Sequence, residues 1–302
     1  MREELPAVVR ERMAEIWPAG TWGSALTSDE FAVIRSVGFE PVGQVFGAAV
    51  YGAGSASGSS CPGTTGSSGD ATQGRPVISV SGQGGLGSFG PLVQAMNQAR
   101  HTAINRMTAE CAALGGHGVV GVRLSRGSFV LGGLEFNAIG TAVRAPGAAH
   151  GPRAPFTSGL SGQDFAKLIM TGWVPAGLVL GISIGSRHDD RVTTRQTRWR
   201  AGNAEVAGWT ELVVQSRRDA RGQLESDVRR LGAEGVVIAT MQMRVREREC
   251  PVQLGRHDHI VEATLIGTAI ARFSPARQPG GGPALAIMPL DPQRRQAARI
   301  RI

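Results

Sequence analysis

The stretch that decides the fold runs from Arg106 to Arg123 and reads Arg-Met-Thr-Ala-Glu-Cys-Ala-Ala-Leu-Gly-Gly-His-Gly-Val-Val-Gly-Val-Arg. Its apolar residues recur at three- and four-residue steps and predict a helix, which the glycine after Leu114 ends. The valines that follow predict a strand. The same junction recurs as Leu231-Gly-Ala-Glu-Gly-Val-Val. We therefore expect the chain to pass from a long helix directly into a strand at two places.

Two more blocks are repeated around this junction, in the same order. Ile139-Gly-Thr-Ala-Val is matched by Ile266-Gly-Thr-Ala-Ile. Upstream, six positions recur at a constant offset: Phe31, Gly38, Pro41, Gly43, Val45 and Gly47 are matched by Phe165, Gly172, Pro175, Gly177, Val179 and Gly181. Three blocks in one order indicate a single module that is used twice.

Hydrophobic periodicity predicts the same elements in both copies. In the first copy they are extended segments over 31–37 and 42–51, a helix over 91–114, and strands over 118–124 and 134–144. In the second copy they are extended segments over 165–171 and 176–184, a helix over 203–231, and strands over 235–243 and 260–273. Glycines inside the segment 42–51 of the first copy indicate a bulge or a close approach of backbones.

The length of 302 residues leaves room for two ordinary domains. We expect an N-terminal helical segment over 1–30, a first module over 31–145, a linker over 146–162, a second module over 163–274, and a disordered basic tail over 275–302. A Gly/Ser/Thr-rich run over 53–76 lacks apolar residues to bury and should form a flexible insert in the first module.

Charge and cysteine content argue against several classes of protein. The net charge is +8, and basic charge alone is weak evidence for a nucleic-acid partner. Cys61, Cys111 and Cys250 are widely spaced, which argues against a disulfide scaffold or a zinc ribbon. The charged N-terminus is unlike a signal peptide. No apolar run approaches the roughly 20 residues that span a bilayer, so we expect a soluble cytoplasmic protein.

The stretch 106–123, followed by Glu135-Phe-Asn-Ala-Ile-Gly-Thr-Ala-Val, resembles the YbjQ-like family (UPF0145), which carries a heavy-metal-binding label. The resemblance covers about 31–145 and 163–273, most of the chain, and is looser in the second copy. It implies fold class α+β, with two tandem modules similar to dodecin-like subunits, each a long helix packed on a short antiparallel sheet. It also implies a ring-shaped homo-oligomer, for which we expect five chains with ten modules.

A soft divalent metal such as zinc or copper would need cysteine or histidine ligands that converge. The densest set is Cys250, His257 and His259, in the predicted loop before the last strand. Two histidines at alternate positions of an extended segment would project to one side. The alternative is a solvated polar loop, which is favoured because two or three donors without a clear fourth ligand make a weak zinc signature. The absence of such residues from the first copy favours it further. His188-Asp189-Asp190 could bind a hard cation, or could also lie in a solvated loop.

Since the sequence contains no recognisable catalytic constellation, we expect a protein that is not an enzyme. Gly82-Gln-Gly-Gly-Leu-Gly lacks the βαβ context of a dinucleotide-binding loop, and nothing pairs Glu110 or Glu135 for acid–base catalysis. The leading hypothesis is an oligomeric scaffold or binding protein of the YbjQ-like family. One alternative is a metal-binding or metal-responsive protein. The other is a nucleic-acid-associated protein that uses the arginines of 187–200 and of the tail, although few aromatic residues accompany them.

Overall fold

The computed structural model describes residues 10, 11, 14, 23–52, 78–81, 89–129, 133–147, 154–197, 202–250 and 257–272. The predicted insert over 53–76, with Cys61, and the predicted tail over 275–302 lie outside these ranges, as does most of the predicted segment over 1–30 up to residue 22. None of the helices in the described ranges is long and apolar enough to cross a membrane.

The described ranges contain five helices and eight strands. Those up to residue 144 are α1 Ser28–Ser36, β1 Glu40–Gly52, β2 Ser79–Val80, α2 Gly90–Ala113, β3 Gly118–Phe129 and β4 Gly133–Arg144. Those that follow are β5 Phe156–Thr157, α3 Gly162–Met170, β6 Trp173–His188, α4 Arg191–Gln196, α5 Ala207–Arg230, β7 Gly235–Glu249 and β8 His257–Arg272. Helices packed on largely antiparallel sheets confirm the predicted α+β class.

The strands form two four-stranded sheets, and the three long strands of each sheet repeat one layout. Sheet 1 has the order β1-β4-β3-β5, and sheet 2 has the order β2-β6-β8-β7. In both sheets, the strand that carries the Gly-Thr-Ala sequence lies in the middle and pairs antiparallel with its two long neighbours. Val45 faces Gly140 in sheet 1 as Val179 faces Gly267 in sheet 2. The sequence repeat is therefore also a repeat of strand register.

Helices α1 and α3 occupy the two segments that were predicted to be extended, and that prediction was wrong. Each helix begins at a side chain that caps its first turn. The Thr27 hydroxyl accepts a hydrogen bond from the Glu30 amide, while the Glu30 carboxylate accepts one from the Thr27 amide at 2.9 Å. The Ser161 hydroxyl likewise accepts a hydrogen bond from the Asp164 amide at 3.2 Å. These caps satisfy amide groups that a helix leaves unpaired, and so they favour a helix in short apolar segments.

Glycines of β1 and β6 allow the long helices to approach the sheets closely, which the sequence predicted for β1 alone. A Cβ atom on Gly47 would overlap the Ala103 carbonyl in α2, and one on Gly181 would overlap the Ala220 carbonyl in α5. The predicted bulge is also present, since the register of β1 shifts between Pro41 and Gly43. The first strand of each sheet is therefore shaped by where its glycines fall.

Successive residues of β6 point to opposite sides of sheet 2 and join two different cores. Val179 packs with Ala220 and Leu224 of α5. The opposite side, which we call the back of sheet 2, contains Leu180, Ile182, Ile184, Glu262 and Ile266. Its apolar members share one core with α2 and sheet 1, including Met107, Phe136 and Ala138. The back of sheet 2 thus packs against the helix-bearing side of the first half.

Part of the predicted linker over 146–162 extends sheet 1. The Ser158 amide donates a hydrogen bond to the Val119 carbonyl at 2.8 Å, and the Ser158 carbonyl accepts one from the Val122 amide at 2.9 Å. The Leu160 carbonyl accepts a further bond from the Gly121 amide. Residues 156–160 therefore pair with the start of β3, which would otherwise be a free edge.

Candidate functional site

A buried polar cluster lies at the end of sheet 2 where β6 ends and β8 begins. Asp258 is fully buried, and one of its oxygens lies 2.8 Å from His188 Nδ1 while the other accepts a hydrogen bond from Arg248 Nε at 3.2 Å. Cys250 is buried beside them, and one ligand atom each from His188, Cys250 and Asp258 lies within 4.8 Å of the others. Strands β6, β7 and β8 bring these residues together, because Asp258 is paired with His188 on one side and with Arg248 on the other.

The predicted metal ligands Cys250, His257 and His259 are not brought together. The predicted loop is shorter than expected, since β7 runs to Glu249 and β8 begins at His257. His257 and His259 flank Asp258 on the same strand and therefore project to the side opposite the cluster that contains Cys250. His257 Nδ1 lies 3.0 Å from Glu247 at the surface, whereas His259 is buried.

His259 belongs to a second small network on the helix-bearing side of sheet 2. Its Nε2 lies 3.1 Å from Asp189, and its ring packs 4.5 Å from the ring of Trp209 in α5. The neighbouring Asp190 instead caps α4 by accepting a hydrogen bond from the Thr193 amide at 2.7 Å. The residues of the His188-Asp189-Asp190 sequence therefore bond to three different partners rather than converging on one cation.

His188, Cys250 and Asp258 offer three donors of mixed type that could hold a metal, and the sequence did not indicate that these three residues lie together. The register of three adjacent strands brings them together, and that register cannot be read from the sequence of one strand. The carboxylate of Asp258 already has a basic partner on each oxygen. These contacts satisfy the buried charge without an ion, as a structural network does.

The other candidate reactive groups are held in structural roles. Burial raises the pKa of the Cys111 thiol to about 12. The thiol donates a hydrogen bond to the Gly118 carbonyl at 3.3 Å. The Glu110 carboxylate accepts a hydrogen bond from the Phe46 amide at 2.8 Å, which ties α2 to β1. Burial also lowers the pKa of Arg100 to about 10, and its guanidinium lies 5.2 Å from the centre of the Phe136 ring.

A groove with a mainly apolar lining lies between α5 and β7, and we call it the α5–β7 groove. Its apolar lining consists of Val214, Leu224, Val236, Ile238, Met241, Met243, Ala263 and Leu265. Arg217, Arg218, Arg221 and Glu225 flank it along α5. The groove holds about 480 Å³. It combines an apolar floor with a basic rim, the pattern of a surface that receives another macromolecule.

Strand β7 leaves this groove open because it lies at the end of the sheet order. Ile238 is 51%, Met241 59% and Val245 61% exposed to solvent. In the described part of the chain, no strand pairs with the free edge of β7 as residues 156–160 pair with β3. A long edge strand with exposed apolar side chains is prone to associate with another chain.

Two comparisons with known proteins bear on the family to which the chain belongs. A family model described as "Putative heavy-metal-binding" matches residues 79–146. This match supports the predicted resemblance within the first copy, while the assignment of the second copy to that family stays a prediction. An encapsulin nanocompartment protein of Mycobacterium tuberculosis (strain ATCC 25618 / H37Rv) is 32% identical over 297 residues, which cover 95% of this chain and 98% of the relative.

The mycobacterial relative corrects the functional hypothesis. The sequence predicted a scaffold or binding protein defined by the heavy-metal label, with metal-binding and nucleic-acid-binding alternatives. A relative that matches nearly the whole chain is named for a protein compartment instead. The arginine-rich run also fits nucleic acid poorly at its start, because Arg187 is buried and pairs with Asp190 and Glu211.

Proposed function

The chain belongs to the family of the Mycobacterium tuberculosis encapsulin nanocompartment protein, and on that premise we propose that its copies assemble into a closed protein shell. The observation that carries the proposal is the α5–β7 groove, which leaves apolar side chains of β7 in solvent. Exposed apolar patches rimmed by polar residues often mark sites where proteins associate. Association between copies would remove this surface from water.

The free edge of β7 supports the same proposal. Self-association is the general way in which a protein covers such an edge, and closed symmetry is the usual result in homo-oligomers. The role proposed is therefore structural rather than catalytic. It agrees with the placement of Cys111 and Glu110, whose reactive atoms bond to the backbone of neighbouring elements.

The mass of the purified protein tests the proposal. One chain has a mass of 31.6 kDa. Light scattering coupled to size exclusion should give a mass many times larger, and negative-stain microscopy should show closed particles of uniform diameter. A single species with the mass of one chain would refute the proposal. The same measurement tests the predicted unit of five chains with ten modules, and fractionation of cells tests the predicted cytoplasmic location.

A further inference from the structure

The α5–β7 groove has a counterpart in the first half of the chain, and that counterpart is filled. Register identifies the equivalent positions. Leu124 faces Ala138 in sheet 1 as Met241 faces Leu265 in sheet 2. Likewise, Arg126 faces Phe136 as Met243 faces Ala263. The floor of the groove is thus built from the same positions as the side of sheet 1 that carries α2.

The back of sheet 2 fills the counterpart. Leu180, Ile182 and Ile184 belong to the same core as Met107, Phe136 and Ala138, with Leu124 packed against it. An ion pair also joins the two sheets at this contact. The Arg126 guanidinium donates two hydrogen bonds to the Glu262 carboxylate, at 2.7 and 3.3 Å. Arg100 lines the same cleft as Glu262. One half of the chain therefore already shows how such a surface is covered.

Sheet 1 has a face equivalent to the back of sheet 2. We call it the outer face of sheet 1, and its residues are Phe46, Ala48, Val50, Glu135 and Ile139. Val50 is 48% exposed, and the other four are half-buried. Glu135 faces Val50 as Glu262 faces Ile184. An apolar row beside a glutamate is thus present on both sheets, in the same arrangement.

We propose that the α5–β7 groove of one copy holds the outer face of sheet 1 of a second copy, in the arrangement by which the first half of each chain holds the back of sheet 2. This inference rests on the proposed function and names the contact that builds the assembly. The occupant has to be a second copy, because the two faces lie on opposite sides of the chain. The groove is on the helix-bearing side of sheet 2, whereas sheet 1 packs on its back.

Charge complementarity supports this occupant. The rim of the groove carries Arg217, Arg218 and Arg221, of which Arg221 pairs with Glu225 at 2.9 Å, and the incoming face carries Glu135. By position in the repeat, Arg217 corresponds to Arg100, which lines the cleft with Glu262. A contact between unlike faces passes from copy to copy and closes when the rotation at each step allows a ring.

Substitutions at position 243 distinguish the proposed contact from association through non-specific burial of apolar surface. In the filled counterpart, the equivalent residue is Arg126, which pairs with Glu262. Met243→Arg should therefore place an arginine against Glu135 of the next copy, and assembly should persist. Met243→Glu should place two carboxylates together and raise the concentration needed for assembly by roughly tenfold or more. The two variants add charges of similar size at one exposed site, so each is the control of the other.

A compensating substitution completes the test. Glu135→Arg alone should weaken assembly, and Glu135→Arg combined with Met243→Glu should restore it, as judged by light scattering over a dilution series. Circular dichroism and melting of the same samples check that each variant is folded. If both charges at 243 weaken assembly equally, or if neither has an effect, the inference is overturned while the wild-type shell remains. A wild-type protein that is monomeric refutes the proposed function itself.

Discussion

Replacing Gly181 with alanine should destabilise the fold, because α5 lies against β6 at this residue. An added Cβ would lie 2.9 Å from the Ala220 carbonyl carbon, closer still to its oxygen, and 3.3 Å from the Leu224 Cβ. Carbon atoms in contact prefer about 3.5–4.0 Å, so the helix backbone must retreat by about 1 Å, the shortfall that this contact distance leaves. Overpacking of this kind costs about 1–3 kcal/mol, and alanine's lower unfolded-state entropy returns less than about 1 kcal/mol. We expect a net loss of about 1–2 kcal/mol.

Gly222→Ala is the control, since Gly222 lies on α5, the helix that packs against Gly181. Its Cβ would meet nothing within 4 Å, and glycine in a helix interior is less favourable than alanine by roughly 0.5–1 kcal/mol. This variant should therefore be more stable than the wild type. Urea unfolding at one fixed protein concentration measures both, since assembly makes stability depend on concentration. If Gly181→Ala is as stable as the wild type, the close approach of helix and strand does not hold.

Three further predictions follow from the buried polar groups. Cys111, with its pKa raised to about 12, should not react with Ellman's reagent at pH 8 until the protein is unfolded; rapid labelling of the native protein at Cys111, identified by mass spectrometry, would contradict this. Asp258→Ala should cost about 2–3 kcal/mol because it removes a fully buried carboxylate that binds His188 and the partly exposed Arg248, whereas His257→Ala, at an exposed pair, should cost under about 1 kcal/mol; equal losses in urea unfolding would refute the difference. Burial opposes ionisation of Asp190, but hydrogen bonds from Thr193 outweigh it and lower its pKa below the ordinary value of 3.8. The unfolded state therefore binds more protons, so the stability from this group is present above about pH 4 and is lost as pH falls through the folded pKa. Asp190→Asn should weaken this part of the acid dependence, and an unchanged profile would count against it.

The long elements could be predicted because their signals are local. The helix that ends before Leu114 was predicted at 91–114 and runs over Gly90–Ala113. Its apolar stripe and terminal glycine both belong to one segment of chain. Helices α1 and α3 were missed for a related reason, since each has only 9 residues and depends on a capping side chain. A short apolar segment is ambiguous between helix and strand until the cap is weighed.

The polar sites could not be predicted, because they depend on pairing between strands. Cys250, His257 and His259 are close in sequence, yet alternation along β8 sends the histidines to one side and Asp258 to the other. The partner that Asp258 does meet, His188, is 70 positions away. A shift of one residue in that register would exchange the two sides, so the sequence alone could not decide between them.

By itself, the sequence predicted that one module is used twice, since the Gly-Thr-Ala sequence, the helix-to-strand junction and the spaced glycines each recur in order. It also predicted a bulge or a close backbone approach where glycines fall in the strand over 42–51, and the structure places a close approach of α2 at Gly47. The tertiary structure decided which faces are covered. Within one chain, the helix-bearing side of sheet 1 contacts the back of sheet 2. This contact covers the back of sheet 2 and leaves the α5–β7 groove open. Which surface stays open is therefore a property of how the two halves stack, and a repeat pattern in the sequence does not contain it.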